Sequence, residues 1–200
     1  MSTSTSDTPT QRRLKLGMVG GGNDAFIGGV HRIASRIDDR YELVAGAFSS
    51  TPEKTRLSAQ ALGVSVDSAY DDFRIMAERE ASREDGIDVG SIVTPNHLHY
   101  PAAREFLRRG IHVISDKPMT SNLEDAKRLE AIGRTAREET GTLFFITYNY
   151  TAYPLVRQAR EMIGAGVLGD IRLVQVEYVQ DWLSQEVEND GLKQAEWRTD

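Results

Sequence analysis

The stretch LKLGMVGGGNDAFIGGVHRIA, residues 14–34, decides how the rest of the chain is read. A short apolar run enters three consecutive glycines, and a helical pattern begins a few residues later. Strand, glycine turn and helix start in immediate succession are the context that gives a dinucleotide fingerprint its physical meaning. Gly20 permits a tight turn, and Gly22 lets the backbone come close to a pyrophosphate. The helix start then offers free N–H groups and the positive end of its dipole. The place of the usual third glycine is taken by Ala25, and the next glycine is Gly28. The loop is therefore longer than the standard form by about three residues. Asn23 and Asp24 fill the insertion, and an aspartate there has to point away from a pyrophosphate. Asn23, Phe26, Ile27 and Gly28 join Gly20 and Gly22 as candidate cofactor-binding residues. The plain alternative is a glycine-rich turn with no ligand.

Outward from this stretch, strand-like and helix-like segments alternate. Residues 41–48 (YELVAGAF) read as a second strand. Residues 51–63 read as a helix with Thr51 as N-cap, Pro52 at its first position and Gly63 just past its end. A helical stretch over 71–83 precedes the strand IDVGSIVT, residues 87–94, which Pro95 stops. Residues 98–109 are helical and end at Gly110. The strand IHVIS (111–115) follows, then a helix opened by Ser121 with Glu124 three residues on, a capping box. TLFFIT, residues 142–147, is the next strand. Strands separated by helices of this length imply βαβ units in an α/β, doubly wound parallel (Rossmann) sheet.

The pattern changes after Thr147. Residues 150–170 read as one helix and a glycine-rich turn, and IRLVQVEYVQDW (171–182) alternates as a strand with one solvated face does in an antiparallel sheet. One helix and one strand cannot make a stable sheet domain alone. The expected organisation is a disordered tail over 1–13, a dinucleotide-binding domain over 14–147, and the truncated start of a second α/β domain over 148–200.

Composition excludes several classes of function. No apolar run approaches the ~18 residues of a membrane span, and the Ser/Thr-rich N-terminus lacks the apolar core of a secretory signal. A net charge of −6, with no basic cluster, argues against a nucleic-acid surface. The chain has no cysteine, hence no disulfide, thiolate nucleophile or thiolate metal site, which is compatible with the cytoplasm.

In an open parallel sheet, ligands sit beyond the carboxyl ends of the strands. The second strand ends in Phe48-Ser49-Ser50 with no acid until Glu53, where a carboxylate would otherwise bind the ribose 2′-hydroxyl of NAD. Ser49 and Ser50 suit a 2′-hydroxyl or a 2′-phosphate, and Lys54 is near enough to assist a phosphate, so NAD and NADP both stay open. Ser50 and Thr51 serve equally as helix-capping groups. Thr94-Pro95-Asn96-His97 and Asp116-Lys117-Pro118 end two further strands and face the same crevice as the glycine loop. A charged pair and a proline at the end of a buried strand make a poor core but a reasonable ligand site. Pro118 turns the chain there.

The order of glycine loop, TPNHLH, DKP and GAGVLGDI resembles the Gfo/Idh/MocA oxidoreductases over about residues 14–198. TPNHLHYPAAREFLRRGIHVISDKP (94–118) matches the family's cofactor-to-lysine segment almost without gaps, with Asp116 in place of the usual glutamate. The resemblance implies a Rossmann domain followed by a second domain whose open, mainly antiparallel sheet bears the substrate pocket and the contacts of a homo-oligomer. It implies NAD(P)-dependent hydride transfer to or from a sugar, cyclitol or related polyol. Where family members often carry two arginines, this chain has Tyr150 and Thr151. The family's remaining catalytic aspartate and histidine lie beyond a pair like Trp197-Arg198, past the end of the sequence.

On this resemblance Lys117 is the candidate catalytic residue. It would hydrogen-bond the reacting oxygen and relay its proton, best from a buried place beside the nicotinamide. Asn96 and His97 would contact the nicotinamide ribose or amide, and Thr94, Pro95 and Asp116 complete the cofactor set. Tyr148, Asn149 and Tyr150, together with Lys117, are candidate substrate-binding residues, with Tyr153 beside them. Packing at a domain seam explains tyrosines equally well. A surface lysine paired with Asp116 is the structural alternative for Lys117. His97 and His99 have no third ligand nearby, so no metal site is expected. His112, inside a strand, reads as structural, and His31 has no assigned role. A dinucleotide-binding regulator that has lost its chemistry is the alternative function; Lys117 favours the enzyme.

Overall fold

A computed structural model of the chain describes residues 12–23 and 25–179. At its centre is β1 (Leu14–Gly20), flanked by β2 (Tyr41–Ala47) and β3 (Val89–Val93), with β4 (His112–Ser115) and β5 (Phe144–Ile146) continuing on one side. The strands are all parallel, in the order β2-β1-β3-β4-β5. This is the doubly wound α/β sheet that the alternating segments imply.

The helices are α1 (Phe26–Ile37), α2 (Pro52–Leu62), α3 (Phe73–Ala81), α4 (His99–Leu107) and α5 (Leu123–Thr140), with α6 (Pro154–Gly164) beyond β5. Strand alternation assigns them to faces. Gly17 and Gly90 point at Met76 of α3 and Phe106 of α4, where an added Cβ would lie 2.3 and 2.9 Å from side-chain atoms. Their neighbours Met18 and Ser91 contact Arg32 and His31 of α1 on the opposite face. The main core lies on the α3–α4–α5 face, where Phe106, Met76, Leu129 and Val113 are fully buried. Buried Glu80 is satisfied there by the Tyr70 hydroxyl at 2.5 Å and the Ile87 N–H at 3.1 Å. Burial, reinforced by the bond to Glu80, pushes the Tyr70 phenol up to about 12. The α1 face is thinly covered: Val30 and Ile33 of α1 and Phe145 of β5 are exposed.

Several local expectations meet the structure differently. The capping box at Ser121 and Glu124 moves one residue on. Extended Asn122 is the N-cap, accepting from the Asp125 N–H at 2.8 Å while its own amide donates to the Asp125 carboxylate at 2.9 Å. The first half of a capping box is thus made by Asn122, but the return bond goes to its side-chain amide rather than to its backbone N–H. Thr51 stands at the N-cap of α2 but makes no side-chain cap, and Pro52 opens the helix as expected. Gly63 closes it in the left-handed region at φ 71°. Arg12 donates to both carboxylate oxygens of Asp88 at 2.9 Å, and the earlier tail residues lie outside the described residues.

The chain divides into two compact units, Met1–Asn149 and Tyr150–Asp200. In the second, α6 is followed by a turn with Gly166 and Gly169 at positive φ. The alternating run is not a strand over 171–179, and all of these residues are exposed. A strand exists only through a ladder to a neighbour, and no described residue supplies one. The rest of that run and the Trp197-Arg198 pair lie outside the described residues.

Candidate dinucleotide and catalytic site

The glycine loop is shaped by what a side chain would hit. Gly20 and Gly21 both lie in the left-handed region, at φ 78° and 70°. A Cβ on Gly21 would sit 2.7 Å from Met18 Sδ and 2.8 Å from Val93 Cγ2; one on Gly28 would sit 2.4 Å from Gly21 Cα. Gly28 therefore lets α1 close against the loop, the task of the third glycine, performed three positions later than the usual spacing. Gly21 is a residue that sequence analysis missed, because it falls between the two glycines of the fingerprint. A Cβ on Gly22 would lie 2.8 Å from Ser58 Oγ and 3.1 Å from the Phe48 carbonyl. The Asn23 N–H donates to the same Ser58 hydroxyl at 3.3 Å, and Arg32 donates to the Gly21 carbonyl.

This geometry fits a pyrophosphate. Ala25 is the N-cap of α1 and has no side-chain oxygen to offer, and the first turn, which holds Phe26, Ile27 and Gly28, contains no acid. A helix start left in this state presents N–H groups and a positive dipole end to an anion. Phe26 is 76% exposed, while Ile27 packs against the core. Asp24 lies outside the described residues.

At the end of β2 the two serines differ. Ser49 is knitted into its own turn: its N–H donates to Thr55 Oγ1 at 3.1 Å, that hydroxyl donates to the Ser49 carbonyl at 3.0 Å, and Ser49 Oγ accepts from the Thr51 N–H at 3.2 Å. Ser50 and Lys54 are exposed beside it.

Sheet register brings the other two tips alongside. Gly20 pairs with Val93, so the tip that begins at Thr94 abuts the glycine loop. Thr94 Oγ1 is buried without a hydrogen-bond partner among the described residues. Such an orphan calls for a missing partner. Pro95 and His97 are exposed and Asn96 is half-buried. Ile92 pairs with Ser115, which sets Asp116 next along.

Asp116 is held from three directions. Its N–H donates to the Ile92 carbonyl at 2.8 Å, Thr147 Oγ1 donates to its carboxylate at 2.8 Å, and His31 Nε2 lies 3.8 Å from that carboxylate. His31 Nδ1 is 3.1 Å from Ser91 Oγ, which links α1 to β3. Burial alone would raise the Asp116 carboxyl; the nearby His31 ring and bonds from the Thr147 hydroxyl and the Lys117 N–H outweigh it and hold the carboxyl below its ordinary value. With its carboxylate so engaged, Asp116 does not pair with Lys117. Lys117 itself is exposed rather than buried, because no described residue packs over it, and its ammonium has no hydrogen-bond or ion-pair partner among the described residues.

Fully buried His99 was weighed from sequence only as a metal ligand. Its Nδ1 lies 2.7 Å from the Pro118 carbonyl and its Nε2 2.9 Å from the Thr94 carbonyl. Among the described residues no cluster of three or more His, Asp or Glu is placed to hold a metal. His112 Nδ1 accepts from the Leu143 N–H at 2.9 Å, a structural role.

A groove of about 400 Å³ runs along the α1 face of the sheet, with Asp116, Lys117, Thr147 and Asn149 at one end and Leu16 and Tyr41 at the other. Its largely apolar lining suits neither phosphates nor a polyol over most of its length. Tyr148 is half exposed. Tyr150 belongs to the second unit, where its hydroxyl lies 2.7 Å from that of Tyr178 and its ring tilts against Tyr153.

A glycine cradle at a helix start, beyond the carboxyl end of a parallel doubly wound sheet, is the layout of a Rossmann dinucleotide-binding domain, and Lys117 stands two strands along from it. The chain belongs to the Gfo/Idh/MocA family, an oxidoreductase family with an NAD-binding Rossmann fold, whose profile matches residues 14–145. It is 34% identical to the uncharacterized oxidoreductase YfiI of Bacillus subtilis (strain 168), over 94% of this chain and 47% of that protein. Among solved structures, an oxidoreductase from Sinorhizobium meliloti is 61% identical with a TM-score of 0.79, over 87% of this chain and 47% of that one. An inositol dehydrogenase homolog from Azotobacter vinelandii, complexed with NAD+, is 37% identical with a TM-score of 0.86, over 94% and 47%. The chain thus spans about half the length of the relatives it matches.

Proposed function

We propose that this chain binds NAD or NADP across the carboxyl end of its sheet and forms the cofactor half of an enzyme that moves hydride to or from a sugar, cyclitol or related polyol. The observation that carries this reading is the uncapped start of α1 behind left-handed Gly20 and Gly21, with a lysine unpartnered among the described residues past the end of β4, two strands along the sheet. The N–H groups of the α1 start would hold the pyrophosphate, with Gly20, Gly22, Asn23 and Gly28 keeping side chains out of its way. Ser49, Ser50 and Lys54 would meet the adenosine ribose. Thr94, Pro95, Asn96, His97 and Asp116 would border the nicotinamide end, where the orphan Thr94 hydroxyl gains a partner.

Bound nicotinamide would supply the hydride acceptor or donor. Lys117 would hydrogen-bond the reacting oxygen, hold the polyol by it, and take up or return its proton. Its freedom from Asp116 supports that role. Tyr148, Asn149 and Tyr150 would contribute to the polyol side, at the start of a second domain over 148–200 that also makes the homo-oligomer. The inositol dehydrogenase homolog among the relatives supports the substrate class. A cysteine-free sequence accords with a cytoplasmic place for the protein.

Incubation of the full-length enzyme, second domain included, with NAD+ or NADP+ and a panel of inositols, hexoses and pentoses tests the reading, whereas residues 1–200 alone should show no turnover. Appearance of reduced nicotinamide with at least one of them is the expected outcome. Dinucleotide binding without turnover on any of them would point to a regulator instead.

A further inference from the structure

The peptide chain from Lys117 to Ser121 lacks backbone hydrogen bonds, although Met119 packs against the core and Thr120 is buried. β4 ends at Ser115, and the last ladder-type bond beyond it is that of the Asp116 N–H to Ile92. From there to Asn122, no residue donates or accepts a backbone–backbone hydrogen bond among the described residues. Pro118 has no N–H to give. Yet this is the stretch that has to hold Lys117 still if Lys117 is to meet a substrate oxygen. Misplacement of a reacting group by about 1 Å can cost 10²-fold in rate.

One side chain reaches it from the core. We infer that His99 is a positioning residue for Lys117, acting through the Pro118 and Thr94 carbonyls. The ring is fully buried at the start of α4, so its own place is fixed by packing. Its two nitrogens lie 2.7 Å from the Pro118 carbonyl, one residue past Lys117, and 2.9 Å from the Thr94 carbonyl, where β3 gives way to its tip. Carbonyl oxygens only accept, so each contact becomes a hydrogen bond when the facing nitrogen carries a proton. The neutral ring carries one N–H and bonds one of the two carbonyls, while the imidazolium bonds both and ties together the two strand tips that border the candidate site. Asp116, on the other flank of Lys117, is held from the opposite face by His31 and from β5 by Thr147. The backbone on both sides of Lys117 is thus anchored while its ammonium is left free. His99 touches neither cofactor nor substrate in this account; it acts through the loop.

The inference rests on the proposed role of Lys117, and its test separates the two. His99→Phe keeps an aromatic ring of similar size and removes both nitrogens; His99→Gln keeps one donor and serves if the phenylalanine variant does not fold. The first readout needs no activity: the backbone 15N order parameters of Lys117 and Met119 in the folded protein. They are expected to fall clearly in His99→Phe and less in His99→Gln, while those of His112 to Ser115 stay unchanged. The second is turnover of the full-length enzyme per folded molecule at saturating cofactor and polyol, expected to fall roughly 10- to 100-fold in His99→Phe, partly restored in His99→Gln, with dinucleotide Kd within about threefold. Order parameters at Lys117 that match wild type would overturn the inference whatever the activity. So would a mobile Lys117 with undiminished turnover. A mobile Lys117 in a protein whose wild type turns over no polyol would keep the anchoring role of His99 and sink only the proposed enzyme.

Discussion

The glycine loop and the Asp116–Pro118 tip lie at the same end of the sheet, with the β3 tip between them, but are built by opposite means. The loop is made by absences. Gly21 and Gly28 fit because no Cβ stands between them, and the α1 start is open because Ala25 has no oxygen to close it. The tip is made by presences brought from far along the chain: His31 from α1, Thr147 from beyond β5 and His99 from α4. An anion site needs only backbone N–H groups at close range. A reacting lysine has to be aimed, which takes side chains. Damage to the loop should therefore appear as lost cofactor affinity, and damage to the tip as lost turnover.

The largest expected effect is at the tip. In the full-length enzyme, Lys117→Ala should lower kcat by roughly 10²- to 10⁴-fold, the usual worth of a positioned acid–base group. Dinucleotide Kd should change little, since the proposed pyrophosphate site in the glycine loop does not include Lys117. Steady-state kinetics beside a calorimetric titration reads both. An unchanged kcat would reduce Lys117 to a polar strand end.

Next comes the loop. Gly28→Val would force a branched side chain into the 2.4 Å approach to Gly21. Overpacking of this kind costs about 1–3 kcal/mol. Urea denaturation should show that loss, and the folded variant should bind dinucleotide at least about tenfold more weakly. Retained affinity would show that α1 and the loop need not touch.

The smallest effect is electrostatic. Asp116 has a lowered carboxyl in the folded protein, so its contribution to stability is present above its ordinary value of 3.8 and is lost as pH falls through its lower folded value. Asp116→Asn should remove that part of the acid dependence at a cost of about 1 kcal/mol near neutral pH. Urea midpoints followed from about pH 5 to pH 2 should thus fall less steeply in the variant than in wild type. Parallel curves would mean that His31 and Thr147 do not favour the ionised form.

The same contrast explains what could be read in advance. The parallel sheet, its helices and the glycine cradle were legible in the sequence because each depends on local pattern: apolar runs, Pro52 at a helix start, glycines at turns. Lys117 stood out as a candidate through its setting between a strand and a proline, and through family resemblance. What holds Lys117 was not. His31 is 85 residues from Asp116, and His99 is 19 from Pro118. No periodicity couples positions so far apart; only the fold brings them together. Gly21 escaped for a different reason, since one glycine among three gives no sign of which two the turn requires. The run after Asp170 alternates as a strand does, but alternation records a potential face and not the neighbour that would pair with it.

The central claim is that a backbone cradle and an aimed lysine serve one dinucleotide. Calorimetric titration of NAD+ and NADP+ into the wild-type, Gly28→Val and Lys117→Ala proteins tests it most directly. The account predicts saturable binding of at least one dinucleotide to wild type and to Lys117→Ala with similar Kd, and strongly weakened binding to folded Gly28→Val. Absence of binding to the wild type, or equal affinity in all three, would contradict it.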